Sequence, residues 1–497
     1  MSSRSLLRAM TITGSTQAAS IVLSIVRMKA LALLLGPTGV GVLGLYNSLQ
    51  TTSSSLAGLG VGNSGVRQIA QSRGDQAELS KVRRVLFLAN LIQGAFAMVA
   101  IWVLREGIAV WLFGDGLYAF EVGLVGVAVL LSLVSASQTA LLRGMRRIGD
   151  LGRITVLAAL AATVGGIAAV WWRGMDGLLW FVIMQPLTSV LVALHFTRKL
   201  PRPQRVPLRV KTFWSEWKPM AQLGAGFMLG GLATSGTMLM VNGRIAGELG
   251  LGAAGQFVAA WGLTVTYMGF LLNAMSMDYY PRLSEVIHDP TAASRLMNEQ
   301  AQIALLIGGP ILFAMIGLAP VVVTILYSKS FGDAVVLLQW QMAGNVLKLA
   351  CWSIGFAFAA AARSRMFLFT QVSFNTVYLA VIWFGLPAFG LEVAGAAFLL
   401  AYAVHFGVLN FLVRRVMPFR WERLSLALIG GYTAAAIALL ALSLAYPLWG
   451  AISAMTCTAI AGFVGGHILL EKIGPSRYTA PLARVYAFCR WPISEHR

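Results

Sequence analysis

The sequence predicts an all-α integral membrane protein of about fourteen transmembrane helices, built as two parallel-repeat six-helix lobes around a central cavity plus two extra C-terminal helices. Three observations predict it. Of the 497 residues, 58% are hydrophobic and only 11% are charged, a balance from which no water-soluble surface can be made. Apolar runs of about twenty residues or more, each long enough to cross roughly 30 Å of hydrocarbon, follow one another along the whole chain. Basic residues collect in every second connection between them, as the positive-inside rule requires.

The first six runs are 9–35, 39–66, 82–104, 120–142, 152–172 and 178–197. A second six are 217–245, 255–277, 300–318, 334–361, 366–386 and 393–414, and two more follow at 424–444 and 449–470. The first run is too long for a signal peptide, is interrupted by Arg27 and Lys29, and has no small-x-small cleavage site, so it is expected to remain as an anchor. Domain boundaries follow from this grouping: an N-terminal lobe over 1–207, a C-terminal lobe over 208–420, and an additional helix pair with a basic tail over 421–497.

With the N-terminus placed inside, one side receives Arg67, Arg73, Lys81, Arg83 and Arg84, then Arg143, Arg146, Arg147 and Arg153. It also receives the dense stretch "RKLPRPQRVPLRVKTFWSEWK" and the C-terminal tail, whereas Arg105, Arg173 and Lys329 are the loop cations of the other side. Both termini are therefore expected on the cytoplasmic side of the membrane. The net charge of +20 is a matter of topology and of membrane lipids, and nucleic acid is excluded as a partner.

Glycine patterns invite a different reading and do not sustain it. Gly39, Gly41 and Gly44 spell G-x-G-x-x-G, as do Gly60, Gly62 and Gly65, yet neither follows a strand or opens a βαβ unit with an acid about twenty residues on. The first cluster falls where one span must turn into the next beside Pro37, and Gly58 with Gly62 forms a small-x-x-x-small pair that permits close helix approach inside the second span. Cys351, Cys457 and Cys489 are too scattered for a disulfide framework or a metal site, and no cofactor is expected.

Internal comparison supports a duplication. "RMKALALLLGPTG" before the second span has a counterpart in "GRIAGELGLGAAG" before the eighth, and the pairs Lys29/Arg244 and Arg67/Arg282 share one offset. Parallel repeats of this kind place a substrate path between the lobes near the midplane.

Polar residues inside the spans mark the expected lining, because each is costly in lipid. The first span carries Thr13, Gln17, Ser20, Ser24 and Arg27 on one helical face, with Lys29 two residues further on. The second adds Asn47, Gln50 and Ser54; the seventh leads through Gln222, Thr234 and Thr237 to Arg244; the tenth carries Gln341, Asn345 and Lys348. Hydrogen bonding between helices is an equal alternative for the Ser and Thr members, and contact with lipid headgroups is an equal alternative for Arg27, Lys29 and Arg244, which lie nearer the outer ends of their helices. A midplane ammonium at Lys348 costs about 2.5 to 3.5 kcal/mol on insertion scales and has no local carboxylate partner in the sequence, which favours a lumenal role.

"LGPTGVGVLG", "PRLSE" and the tenth-span stretch "LYSKSFGDAVVLLQWQMAGNVLKLACWSIGFAFAAAARSRMFLF" resemble the Wzx-type flippases of the polysaccharide transport family, of the enterobacterial-common-antigen type. That family shares a superfamily with multidrug and toxin extrusion transporters and lipid II flippases, and the last of these place an Arg before the glycine ending the first helix as Arg27 stands before Gly36. The resemblance implies movement of an undecaprenyl-diphosphate-linked oligosaccharide from the inner to the outer leaflet by alternating access, for cell-surface polysaccharide such as O-antigen. It also implies a polysaccharide polymerase and chain-length proteins as partners. A cation or drug antiporter of the same superfamily would be expected to carry lumenal carboxylates, and a membrane glycan polymerase or ligase would need a sizeable outer loop with paired acids. Neither feature is present in the sequence, so no catalytic residues are expected.

Overall fold

A computed structural model describes residues 3–200, 209–473 and 486, with side chains from Gly14 onward apart from residue 473. Among the described residues every regular element is a helix: α1 (Ser3–Gly58), α2 (Val61–Gln71), α3 (Gln76–Phe113), α4 (Ala119–Gly144), α5 (Ile148–Arg173), α6 (Leu178–Thr197) and α7 (Val210–Val286) come first. α8 (Pro290–Leu326), α9 (Gly332–Ala360), α10 (Ser364–Phe389), α11 (Glu392–Val416), α12 (Arg423–Ala445) and α13 (Pro447–Ile473) complete the chain, with short 3₁₀ turns after α2 and α5. These form 11 helical stretches long and apolar enough to cross a membrane.

Three of the stretches are interrupted midway. α1 turns at Gly36 (φ 64°, ψ −163°) and α7 at Gly250 (φ 86°, ψ 169°), backbone conformations that only glycine adopts without strain. Pro37, with its fixed φ and missing N–H, then starts the next helix of α1. The third interruption is the 3₁₀ turn between α5 and α6.

The chain divides into two compact units: residues Met1–Val258 with Leu326–Phe331, and residues Ala259–Ile325 with Gly332–Arg497. In the first unit the expected seventh span packs on the N-terminal helices. Leu59 and Gly60 meet Gly224 backbone to backbone, and Thr52 Oγ1 donates to the Ser235 carbonyl at 2.9 Å. The second span is not continuous as expected: Gly60 takes a left-handed conformation (φ 64°) and separates α1 from α2, which lets its backbone approach Gly224. The small pair does serve close packing, because Gly58 and Gly62 face Leu133 and Ala136 of α4. A core of Val61, Ile69, Val85, Leu86, Leu141 and Met220 closes one end of this unit.

A second backbone contact in the first unit is reciprocal as well. A Cβ on Gly41 would overlap the Leu251 carbonyl, and a Cβ on Gly255 would overlap the Pro37 carbonyl. The helix that begins after Gly36 and the helix that begins after Gly250 thus cross through matching positions, each supplying a glycine to the other's first turn.

In the second unit Tyr279, Met297, Cys351, Phe358, Leu409 and Val413 form the principal core, and Tyr279 Oη donates to the Ser353 carbonyl at 2.5 Å. α12 and α13 are fitted onto α8 through small residues: Gly309 lies under Tyr432, and Gly317 under Ala451 and Ala454. Polar clasps hold one end of this assembly, where Ser425 Oγ donates to Asn298 Oδ1 at 2.7 Å and Gln302 Nε2 donates to Glu422 at 2.9 Å.

Candidate functional site

The turn at Gly36 folds the two halves of α1 against each other, and together with α4 and α6 they enclose a cavity of about 570 Å³ in the first unit. Arg27 enters it from the first half of α1; Asn47, Gln50 and Ser54 line it from the second half. Ser132 and Ser135 are contributed by α4, and Phe181, Gln185 and Ser189 by α6. The lining contains one cation, many hydroxyl and amide groups, and no carboxylate.

Arg27 is held by its neighbours rather than by an acid. Its Nη1 donates to Gln185 Oε1 at 2.8 Å, and its guanidinium carbon lies 5.8 Å from the centroid of the Phe181 ring. Nε is buried without a hydrogen-bond partner among the described residues. A half-buried guanidinium left without a carboxylate retains both its charge and its directional donors for an incoming anion. Gln50 Nε2 donates to Ser132 Oγ at 2.8 Å, which ties the second half of α1 to α4 across the wall.

Other sequence-derived candidates lie elsewhere. Gln17 is exposed and Ser24 half-buried on the first half of α1, and neither lines the cavity. Lys29 Nζ donates to the Tyr327 carbonyl at 2.5 Å, so it serves the turn that follows α8. Arg244 pairs with Glu248 at 2.5 Å, one helical turn away.

The remaining three belong to the second unit. Gln341 and Asn345 are fully buried on α9: Gln341 Oε1 accepts from Thr264 Oγ1 at 2.6 Å, and Asn345 Nδ2 donates to the Gln341 carbonyl at 2.8 Å. Gln341 Nε2 and Asn345 Oδ1 have no partner among the described residues. Lys348, two turns from Gln341, sets its ammonium 5.7 Å and 5.8 Å from the ring centroids of Phe398 and Tyr402 on α11. These rings continue into a cluster with Trp261, Phe374, Tyr378 and His405. Cation–π contact offsets part of the cost of burying an ammonium, about 0.5 to 2 kcal/mol, without neutralising it.

Sequence reasoning missed the contributions of α4 and α6. Ser132 and Ser135 continue to Thr139 at helical spacings of three and four, with Ser137 and Gln138 beside them, and Gln185 and Ser189 stand four apart with Thr188 beside them. These polar runs in the fourth and sixth spans were the signal the sequence offered.

Membrane-length helices enclosing a polar, cationic, acid-free cavity define a multi-pass membrane protein with the architecture of a solute or lipid transporter. A family model described as "Polysaccharide biosynthesis protein" matches residues 30–336, and the chain belongs to that family. It is 24% identical over 388 residues to the lipid III flippase of Escherichia coli (strain K12), an alignment covering 76% of this chain and 91% of that relative. The lipid III flippase of Shigella flexneri matches to the same extent. Among solved structures, the lipid II flippase MurJ in an inward closed conformation superposes with a TM-score of 0.68 at 10% identity, covering 94% of this chain and 99% of that one. An inward-facing multidrug resistance MATE family transporter of the MOP superfamily gives 0.67 at 17% identity, covering 80% and 95%. These likenesses show the fold to be that of multi-span membrane transporters.

Proposed function

We propose that this protein is a flippase for a lipid-linked oligosaccharide, carrying an undecaprenyl-diphosphate-linked glycan from the cytoplasmic to the outer leaflet of a bacterial inner membrane. The observation that carries the reading is the cavity around Arg27: a half-buried guanidinium with no carboxylate partner among the described residues, surrounded by hydroxyl and amide groups. A sugar diphosphate cannot cross hydrocarbon unaided, because an unpaired charge there costs many kcal/mol. Arg27 supplies the positive charge for the diphosphate, and Asn47, Gln50, Ser132 and Gln185 supply hydrogen bonds suited to sugar hydroxyls. Lys348, with Gln341 and Asn345, is assigned as the second anion contact; Lys29 and Arg244, engaged by the Tyr327 carbonyl and Glu248, are left out of the binding set.

Fourteen crossings with both termini in the cytoplasm, in two repeated lobes that alternate access, belong to the same proposal. The reciprocal Gly41/Gly255 contact supports the duplication. A polysaccharide polymerase and chain-length proteins are the partners this role requires. The antiporter reading shares the fold, but the acid-free lining offers no carboxylate for cation or proton exchange.

The test is reconstitution with candidate lipid-linked oligosaccharides and measurement of leaflet exchange. Exchange above a protein-free control supports the assignment. No exchange with any such lipid, together with proton-driven efflux of an organic cation, would replace it with the antiporter.

A further inference from the structure

A second cavity in the first unit, of about 410 Å³, lies between α3 and the opening turns of α7 and has a different character from the first. Leu88 and Ile92 of α3 face Phe213, Trp214 and Trp217 of α7 across it. The lining is almost wholly apolar; its one amide, Gln93, has both polar atoms buried without a partner among the described residues. Ile92 and Trp214 remain 58% and 55% exposed, so the two helices leave a groove open on one side instead of closing on each other.

The α7 wall is amphipathic in a specific way. Val210, Phe213, Trp214 and Trp217 stand at i, i+3, i+4 and i+7 and share one face, while Arg209, Lys211 and Lys218 are exposed beside it. Glu216, the only acid in this stretch, is engaged by Lys81 of α3 at 2.5 Å. The rim therefore keeps a net positive charge, and tryptophans next to lysines mark the depth at which hydrocarbon meets headgroups. An occupant must combine a hydrocarbon chain with an anionic end.

We propose that this groove is a binding site for an anionic phospholipid, one acyl chain lying against Ile92, Trp214 and Trp217 and its phosphate meeting Lys211 and Lys218. The site is separate from the Arg27 cavity and does not depend on the glycan reading. An anionic lipid seated here bridges α3 and the opening turns of α7.

Native mass spectrometry of the full-length protein, exchanged into phosphatidylglycerol or phosphatidylcholine, tests the proposal. The unaltered protein should retain phosphatidylglycerol in preference to phosphatidylcholine by about tenfold, and the double variant Lys211→Glu/Lys218→Glu should lose that preference. Ile92→Trp, which fills the groove, should lose retention of both lipids. A second reading uses native sequence on the lipid side: phosphatidylglycerol brominated on its acyl chains should quench tryptophan emission more in the unaltered protein than in Trp214→Phe. Equal retention of the two lipids by the unaltered protein, or equal quenching with and without Trp214, would overturn the site. Displacement of phosphatidylglycerol by undecaprenyl phosphate at equal concentration would also overturn it, giving the groove to a prenyl chain.

Discussion

Arg27 is unusual less for being a cation inside a membrane than for what holds it. Gln185 and the Phe181 ring position the guanidinium without cancelling its charge, so the residue stays available to an anion. Charge-assisted hydrogen bonds are worth about 1.5 to 3 kcal/mol, so Arg27→Ala should slow flipping by about 10- to 100-fold, and Arg27→Lys by less, in a proteoliposome leaflet-exchange assay. Gln185 gives a sharper contrast. Gln185→Ala removes one support, whereas Gln185→Glu offers Arg27 a carboxylate at the same site and should impair transport more while leaving the protein at least as stable to heat. Transport by Gln185→Glu at the rate of Gln185→Ala would mean that the free charge of Arg27 is not what the substrate uses.

Lys348 has rings where an ion pair would otherwise be. Lys348→Glu should abolish flipping and Lys348→Arg should keep part of it, both measured at matched membrane insertion. If Lys348→Ala inserts normally and flips at the parental rate, the ammonium is structural, and the second anion contact must be sought elsewhere on α9.

Among helices, the crossing through Gly41 and Gly255 is the tightest requirement identified in the first unit, since each would-be Cβ meets a backbone carbonyl that cannot rotate away. Gly41→Leu and Gly255→Leu should each lower stability by about 3 kcal/mol or more, seen as a fall in thermal midpoint in detergent. Gly230, on α7 with open space around it, is the control: Gly230→Ala should leave the midpoint unchanged or raise it slightly, because alanine is the better helix former. A similar loss at Gly230 and Gly255 would show that α7 tolerates no side chain at its glycines, for reasons unrelated to the crossing. The α12–α13 pair, for its part, is fixed to α8 by glycine-lined packing and by the Asn298–Ser425 and Gln302–Glu422 bonds, so it belongs to the second unit as a built part and not as a loose appendage.

For the chain acting as a transporter, charge sets a definite expectation. On the proposed substrate, a diphosphate headgroup with about two negative charges moving outward from a negative interior gains at most about 4 to 5 kcal/mol per 100 mV. Flipping in proteoliposomes should quicken under an inside-negative potassium diffusion potential and continue more slowly without one, at matched pH and sodium. Equal rates at both signs would mean that the charge is neutralised in transit, by co-moving cations or by lumenal arginine and lysine travelling with the substrate.

Composition, apolar run length and the alternation of basic connections were enough to establish a multi-pass helical protein, because the bilayer imposes length, hydropathy and charge asymmetry on each segment separately. The same locality made Arg27, Asn47 and Gln50 legible: a polar residue in an apolar span is conspicuous without knowing its neighbours, and all three line the cavity. What could not be read along the chain depends on which helices meet. Ser132, Ser135, Gln185 and Ser189 became parts of a wall when α4 and α6 were brought beside α1, and Lys29 and Arg244 were drawn off to Tyr327 and Glu248 by contacts formed on folding. The glycines divide in the same way. Pro37 announced a turn in the sequence, but whether a glycine turns the chain, as Gly36 and Gly250 do, or clears room for another backbone, as Gly41 and Gly255 do, is set by the helix packed against it, and a linear pattern carries no record of that neighbour.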